Sequence, residues 1–147
     1  MSDKHISSQF DADLRNVSTR VLEMGGLAEA QVAQAMYALT NFSSETATQV
    51  LRQEEKLNQM EVDIDGDLQR IIAMRQPAAV DLRLLIAISK AIANLERVGD
   101  EAARIARTVQ RLVGAGVSSR LRVPVGDLGY VAEPASASSS PYSSRSA

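Results

Sequence analysis

Residues 94 to 107 read Asn94-Leu95-Glu96-Arg97-Val98-Gly99-Asp100-Glu101-Ala102-Ala103-Arg104-Ile105-Ala106-Arg107, and the phase of this stretch decides the fold. At about 100° per residue, Lys90, Asn94, Arg97, Glu101, Arg104 and Arg111 fall on one polar stripe. Leu95, Val98, Ala102, Ile105 and Val109 form an apolar stripe elsewhere, so the stretch is an amphipathic helix with a solvated face. Glu96 and Asp100 belong to neither centre. Glu96 continues a third row, Leu82, Leu85, Ser89, Ile92, Glu96, Gly99 and Ala103, which is otherwise core-like. The small residues Gly99 and Ala103 leave room beside its carboxylate.

The same period extends outward. It predicts a helix from about Ala79 to Val113, stopped by Gly114-Ala115-Gly116. Upstream, Arg75-Gln76-Pro77 ends a preceding helix, because the residue before a proline avoids the helical region. That second helix runs from about Glu45 to Met74, with Ser43 or Ser44 as its cap and Glu45 and Thr46 in its first turn. Its stripe, Val50, Glu54, Leu57, Glu61, Ile64, Leu68 and Ile71, has two acids at places where apolar residues are expected. Asn41-Phe42-Ser43-Ser44 separates it from a first helix over about Ile6 to Leu39, marked by Phe10, Leu14, Val17, Val21, Met24, Ala28, Ala35 and Leu39. Gly25-Gly26 inside that helix costs about 1 kcal/mol per glycine relative to alanine. Such a pair implies close approach by another helix, or a kink.

Three long helices joined by two short loops are most economically an all-α, antiparallel up-down-up three-helix bundle over residues 1–113. From Gly114 the period is lost, and seven of the fifteen residues from Glu133 to Ala147 are serine. Such a composition buries too little apolar area to offset chain entropy, so residues 114–147 are expected to be a disordered tail.

Composition sets further bounds. The 147 residues suffice for a single domain with a real core. They are 45% hydrophobic but only 3% aromatic, so the core must be aliphatic. Cysteine is absent, which excludes disulfides, thiol catalysis and zinc–thiolate sites, and fits a reducing cytoplasm. The lone histidine, His5, lies near the start, so a histidine-dependent mechanism is not expected in the body of the fold. Met1 to Phe10 has no apolar run to serve as a signal peptide, and no stretch of about 18 apolar residues exists to span a membrane. A net charge of −2 gives no sign of nucleic-acid binding.

The acids are the chemically suggestive feature. Glu96 and Asp100 are four apart, as are Glu61 and Asp65, and Glu54 precedes Glu61 by seven. Folding the second hairpin near residue 78 sets Glu61 level with about residue 95, opposite Glu96, and Glu54 level with about residue 102. Asp100 then lies between the levels of Glu54 and Asn58, while Asp65 falls nearer residue 91. Folding the first hairpin near residue 42 brings Glu23 level with Glu61 and Glu29 level with Glu55, which makes them weaker candidates. Four or five carboxylates between packed helices are costly without compensation. Oxygen-only ligands suit magnesium, calcium, manganese or iron, and the lack of histidine and cysteine disfavours zinc and a ferritin-like di-iron site. Spacing alone leaves a second reading open. The acids could form a solvated flank, with Asp100 pairing with Arg104 and Glu101 with Arg97 or Arg104.

Several segments carry a resemblance. Leu95-Glu96-Arg97-Val98-Gly99-Asp100 resembles the Leu-Glu-Arg-Ile-Gly-Asp signature of the PhoU family, and Arg75-Gln76-Pro77-Ala78-Ala79-Val80-Asp81-Leu82-Arg83 its interhelical loop. Met24-Gly25-Gly26 resembles its first-helix motif, and His5-Ile6-Ser7-Ser8-Gln9-Phe10 its start. The match covers roughly residues 4 to 113. It implies a fold of tandem three-helix bundles and Glu-x-x-x-Asp metal sites, carried here by Glu61/Asp65 and Glu96/Asp100. It further implies iron, manganese, magnesium or zinc as the metal, a cytoplasmic and often dimeric protein, and no catalysis. The implied role is negative regulation of the phosphate regulon, linking the ATPase of the phosphate ABC transporter to the phosphate sensor histidine kinase, peripheral to the membrane at most.

The departure from the family is its length. Members are about twice as long and carry a second repeat, whereas no second Glu-Arg-x-Gly-Asp occurs here. A truncated or frameshifted product, altered between residues 116 and 135, is the expectation. Three functions then compete: a regulatory adaptor with metal-binding acids, a metal-dependent enzyme, and a structural or dimerising helical module without metal. The enzyme would need an open coordination position and a base, and no nucleophile motif or glycine-rich phosphate loop supports it.

Overall fold

The structure is a computed structural model that describes residues 2–117, with side chains from residue 8 onward. The tail expected over 114–147 lies, from residue 118 on, outside the described residues. Three helices account for nearly all of the rest: α1 (Ser2–Asn41), α2 (Ser44–Arg75) and α3 (Ala79–Gly114). At about 1.5 Å per residue, their 40, 32 and 36 residues make rods of roughly 50–60 Å. Each helix packs against both others.

Cross-helix bonds fix the topology. Arg75 near the end of α2 donates to Asp13 Oδ2 near the start of α1 at 3.1 and 3.2 Å, whereas Gln31 late in α1 donates to the Val50 carbonyl early in α2. Those two helices are therefore antiparallel. Ser89 meets Asp65 while Gln110 meets Thr48, so α2 and α3 are antiparallel as well. The bundle runs up, down, up, as the helix lengths and short loops imply.

The ends are built by local chemistry. Ser43 is the N-cap of α2, and its hydroxyl accepts from the Thr46 N–H at 3.2 Å. Gln76 closes α2 in the left-handed region (φ 44°), its N–H bonding to the Ile72 carbonyl, directly before Pro77. α3 ends in a Schellman motif: Gly116 is left-handed (φ 74°), its N–H reaches the Val113 carbonyl, and the Val117 N–H reaches that of Leu112.

Among the described residues, the buried hydrophobics are all aliphatic, as composition leads one to expect. One cluster holds Met24, Leu57, Ile64, Leu68, Leu85 and Ile92 among others, and a second is alanine-rich, with Ala35, Ala38, Ala47, Ala102 and Ala106 around Val50 and Val109. Small side chains let helix axes approach more closely at that end.

Three sequence expectations need correction. A Cβ added at Gly25 or Gly26 would meet nothing within 4 Å, and α1 runs through both without interruption, so no helix approaches closely there. The close approach occurs at Gly99, where a Cβ would collide with Leu57 Cδ2. The room expected beside Glu96 at Gly99 is thus filled by Leu57. Val98, assigned to the apolar stripe, is 42% exposed, because the inward line of α3 is the row Leu85, Ile92, Gly99, Ala103 and Ala106.

Candidate functional site

Glu96 lies on that inward row, one turn after buried Ile92 and three residues before buried Gly99. Packing of α3 against α2 therefore holds it half-buried at the seam, while the stripe of Lys90, Asn94, Arg97, Glu101, Arg104 and Arg111 is exposed as expected. Asp100, one turn later, and Glu61 on α2 are also half-buried. Burial, first of all, holds the Glu96 carboxyl above its usual range. The nearby charges of Asp100 and Glu61 and a side-chain hydrogen bond with Asp100 add to this, and Arg97 partly opposes it. Glu96 is thus a carboxylate whose charge is disfavoured where it sits, beside the charges of Asp100 and Glu61.

The other two predicted acids are engaged by the protein. Asp65 accepts from Ser89 Oγ at 3.1 Å and from Gln69 at 2.7 Å. Glu54 accepts from Arg107 Nη2 at both carboxylate oxygens, at 2.8 and 2.7 Å. Of the five candidates, Glu61, Glu96 and Asp100 come together, and Glu54 and Asp65 flank them with partners of their own. Glu23 and Glu29 are exposed on α1. Among the described residues, no group of three or more His, Cys, Asp or Glu surrounds a single point ready-made for a metal ion. Of the pairings the solvated-flank reading expected, Glu101 with Arg104 is formed at 3.2 Å, and Asp100 with Arg104 is not among the ion pairs of the described residues.

Sequence reasoning missed several polar groups at this seam. Asn58, one turn after Glu54, has a buried Oδ1 with no hydrogen-bond partner among the described residues. It lines an open depression of about 310 Å³ along α2 with Leu51, Glu54, Glu55, Gln59 and Val62. Gln31 is wholly buried between the two core clusters, donating to the Val50 carbonyl at 3.2 Å. Its place in the row Met24, Ala28, Gln31, Ala35 was a readable signal of burial. Arg20 bonds Asp67 on α2, with Asp63 3.8 Å away.

The carboxylates of Glu61, Glu96 and Asp100 offer oxygen donors only, the type that hard cations take. They match such an ion in donor type, while among the described residues no three such groups gather around one point.

Comparison with known proteins gives the fold a context. The PhoU domain family matches residues 21–109. A Burkholderia protein described as a phosphate-specific transport system accessory protein PhoU homolog is 54% identical over 121 residues, which are 82% of this chain and 52% of that protein. The Escherichia coli K12 protein described as phosphate-specific transport system accessory protein PhoU is 50% identical over 105 residues, 71% of this chain and 44% of that one. The crystal structure of PhoU from Pseudomonas aeruginosa superposes with a TM-score of 0.76 at 47% identity, covering 82% of this chain and 58% of that chain. The chain spans about half the length of the curated relatives it matches.

Proposed function

The chain belongs to the PhoU family, and on that premise we propose that it is a negative regulator of the phosphate regulon and of phosphate uptake. It acts as a non-catalytic, cytoplasmic adaptor between the ATPase subunit of a phosphate ABC transporter and the phosphate sensor histidine kinase, and works as a homodimer. Relatives described as accessory proteins of phosphate-specific transport support the transport side of this reading. No helix among the described residues is long and apolar enough to cross a membrane, which is compatible with a peripheral partner of such a system.

The acidic seam is the part of the reading that this chain's own residues support. Glu61, Glu96 and Asp100 hold an iron, manganese, magnesium or zinc ion, with Asp65 and Glu54 at its margins. The observation that carries it is the meeting of Glu96 with the charges of Asp100 and Glu61 at a half-buried helix seam. A bound ion would supply positive charge there, tying α2 to α3 and relieving the repulsion. Elemental analysis of purified protein tests this. Glu96→Ala with Asp100→Ala is expected to lower bound metal, and equal metal content in wild type and variant would refute the assignment.

A metal-free, dimerising helical module is the second reading. Leu22, Val80, Met74 and Val62 are each more than 60% exposed, apolar side chains that a second copy could cover. A mass in ultracentrifugation that rises with concentration, without bound metal, would favour it.

A further inference from the structure

Two rows on α3 share a seven-residue period. The buried row is Leu85, Ile92, Gly99 and Ala106. Two residues before each of them stands a cation, Arg83, Lys90, Arg97 and Arg104, and Arg111 continues the series. Two residues turn a helix by about 200°, so the cations lie opposite the core. Because both rows keep one period, this opposition holds along the whole helix, however the helices coil about each other. All five cations are exposed. At about 1.5 Å per residue they stand about 10 Å apart on a line about 42 Å long.

The row is nearly uncompensated. Among the ion pairs of the described residues, only Arg104 with Glu101 uses one of its members. Glu101 is the one exposed acid of α3, against six exposed cations with Arg107 included. The exteriors of α1 and α2 have the opposite balance. From residue 8 onward their exposed acids are Asp11, Glu23, Glu29, Glu45, Glu55 and Asp63, and their exposed cations are Arg15, Arg52, Lys56 and Arg70. Positive charge is thus gathered on one edge of an otherwise slightly acidic bundle. Such an edge attracts a partner of opposite sign and fixes its register.

The period selects the kind of partner. A helix with acids at every seventh residue carries them on one line at the same interval, so it can meet all five cations while lying along α3. Four of the five are arginines, whose planar fork matches carboxylates. A lipid surface reads charge without period, so the regular interval favours a helix. A second copy of this chain does not supply the match, because no two of the exposed acids of α1 and α2 are seven residues apart.

We propose that the outer face of α3 docks an acidic helix of another protein, one with Asp or Glu at seven-residue intervals, through Arg83, Lys90, Arg97, Arg104 and Arg111. The inference rests on the adaptor reading in taking the partner to be a protein, and it is independent of the metal reading.

Fluorescence anisotropy of the full chain with two labelled peptides tests this. Each peptide is an alanine–glutamine helix as long as α3 with the same number of glutamates as the row has cations. In one they stand seven apart, and in the other they are scattered around the helix. At low salt the regular peptide is expected to bind at least about threefold more tightly than the scattered one. Arg83→Gln, Lys90→Gln and Arg104→Gln together are expected to weaken it about threefold to hundredfold. Arg97 is kept because its charge acts on Glu96. An ionic strength of about 1 M, where the screening length is about 3 Å, should abolish binding. Equal affinity for the two peptides, read on wild type and so independent of any variant's folding, overturns the helix match. Peptide binding that the triple variant retains overturns the assignment to this row. Vesicles of phosphatidylglycerol in phosphatidylcholine form the last arm. Binding to them that the triple variant loses, without preference between the peptides, overturns the proposal in favour of a lipid surface. Binding to no probe overturns the docking face and leaves the adaptor reading to another surface.

Discussion

Leu57 of α2 occupies the space that a side chain would need at Gly99 of α3. A Cβ there would overlap Leu57 Cδ2 and stand 2.9 Å from Gln31 Oε1 on α1, so all three helices meet at this glycine. Gly99 is flanked by Glu96 and Asp100, so the contact that closes the bundle also sets how deeply those two acids sit in the seam.

Gly99→Ala should therefore cost stability, although alanine is the better helix former. Overpacking a tight contact costs about 1–3 kcal/mol, against a helix-propensity gain of about 1 kcal/mol. Leu57 fills the gap with the tip of a flexible side chain, so Leu57→Ala in the Gly99→Ala background should cost less than in wild type, where it leaves a cavity worth about 2–5 kcal/mol. Urea unfolding of the two single variants and the double variant checks this. Additive losses would show that the two residues do not share the space.

Gly25 and Gly26 present the opposite case. Nothing lies within 4 Å of a Cβ at either position, and both are interior to a continuous helix. Gly25→Ala and Gly26→Ala should each stabilise by about 0.5–1 kcal/mol, raising Tm by a few degrees. A lower Tm for either alanine variant would mean that a partner occupies this face.

These glycines show what a sequence can and cannot disclose here. Helix period, Pro77 and the Ser43 cap are local, and they placed all three helices within a few residues of their ends. Hairpin levelling put Glu61 opposite Glu96, because it needs only the rise of a helix and the position of a turn. Gly25 and Gly99 carry the same letter, and only the packing of a second helix distinguishes an idle glycine from an obligatory one. Arg107 and Glu54 are 53 residues apart, and their levels differ by several residues. The pairing depends on a long side chain leaning along the seam, which no spacing rule supplies. The pairing of Asp65 with Ser89 is the same kind of event, a seam contact on the level where Asp65 was expected to fall short of Glu96.

Ser43 carries the start of α2 almost alone. Its hydroxyl accepts from the Thr46 N–H and also hydrogen-bonds the Thr46 hydroxyl at 2.9 Å, immediately after Phe42, which is left-handed (φ 51°). Ser43→Ala should cost about 1 kcal/mol, and Ser43→Asp should be close to neutral, because its carboxylate can take the same N–H near the helix N-terminus. Thermal denaturation followed by circular dichroism measures both, and an alanine variant as stable as wild type would contradict the capping role.

Glu96 makes the metal-free bundle sensitive to pH in an unusual direction for an acid. Burial, the Asp100 and Glu61 carboxylates and the Asp100 hydrogen bond raise its folded pKa above the ordinary value of 4.5. Between that value and the raised one, the folded state binds more protons than the unfolded state, so stability through this group falls as pH rises. The contribution is favourable on the acid side of the window, and it is lost once Glu96 ionises beside Asp100 and Glu61. Glu96→Gln removes the charge and keeps the shape, so in chelator it should be more stable than wild type near pH 7. The advantage should shrink towards pH 4.5, where wild-type Glu96 keeps its proton. Mn²⁺ should narrow the gap at pH 7 from the other side, since it stabilises the ionised wild type and finds one ligand fewer in the glutamine variant. Tm measured from pH 4.5 to 8, with chelator and with Mn²⁺, tests each step. A wild type and variant that run parallel across that range would show that Glu96 feels neither its neighbours nor its burial.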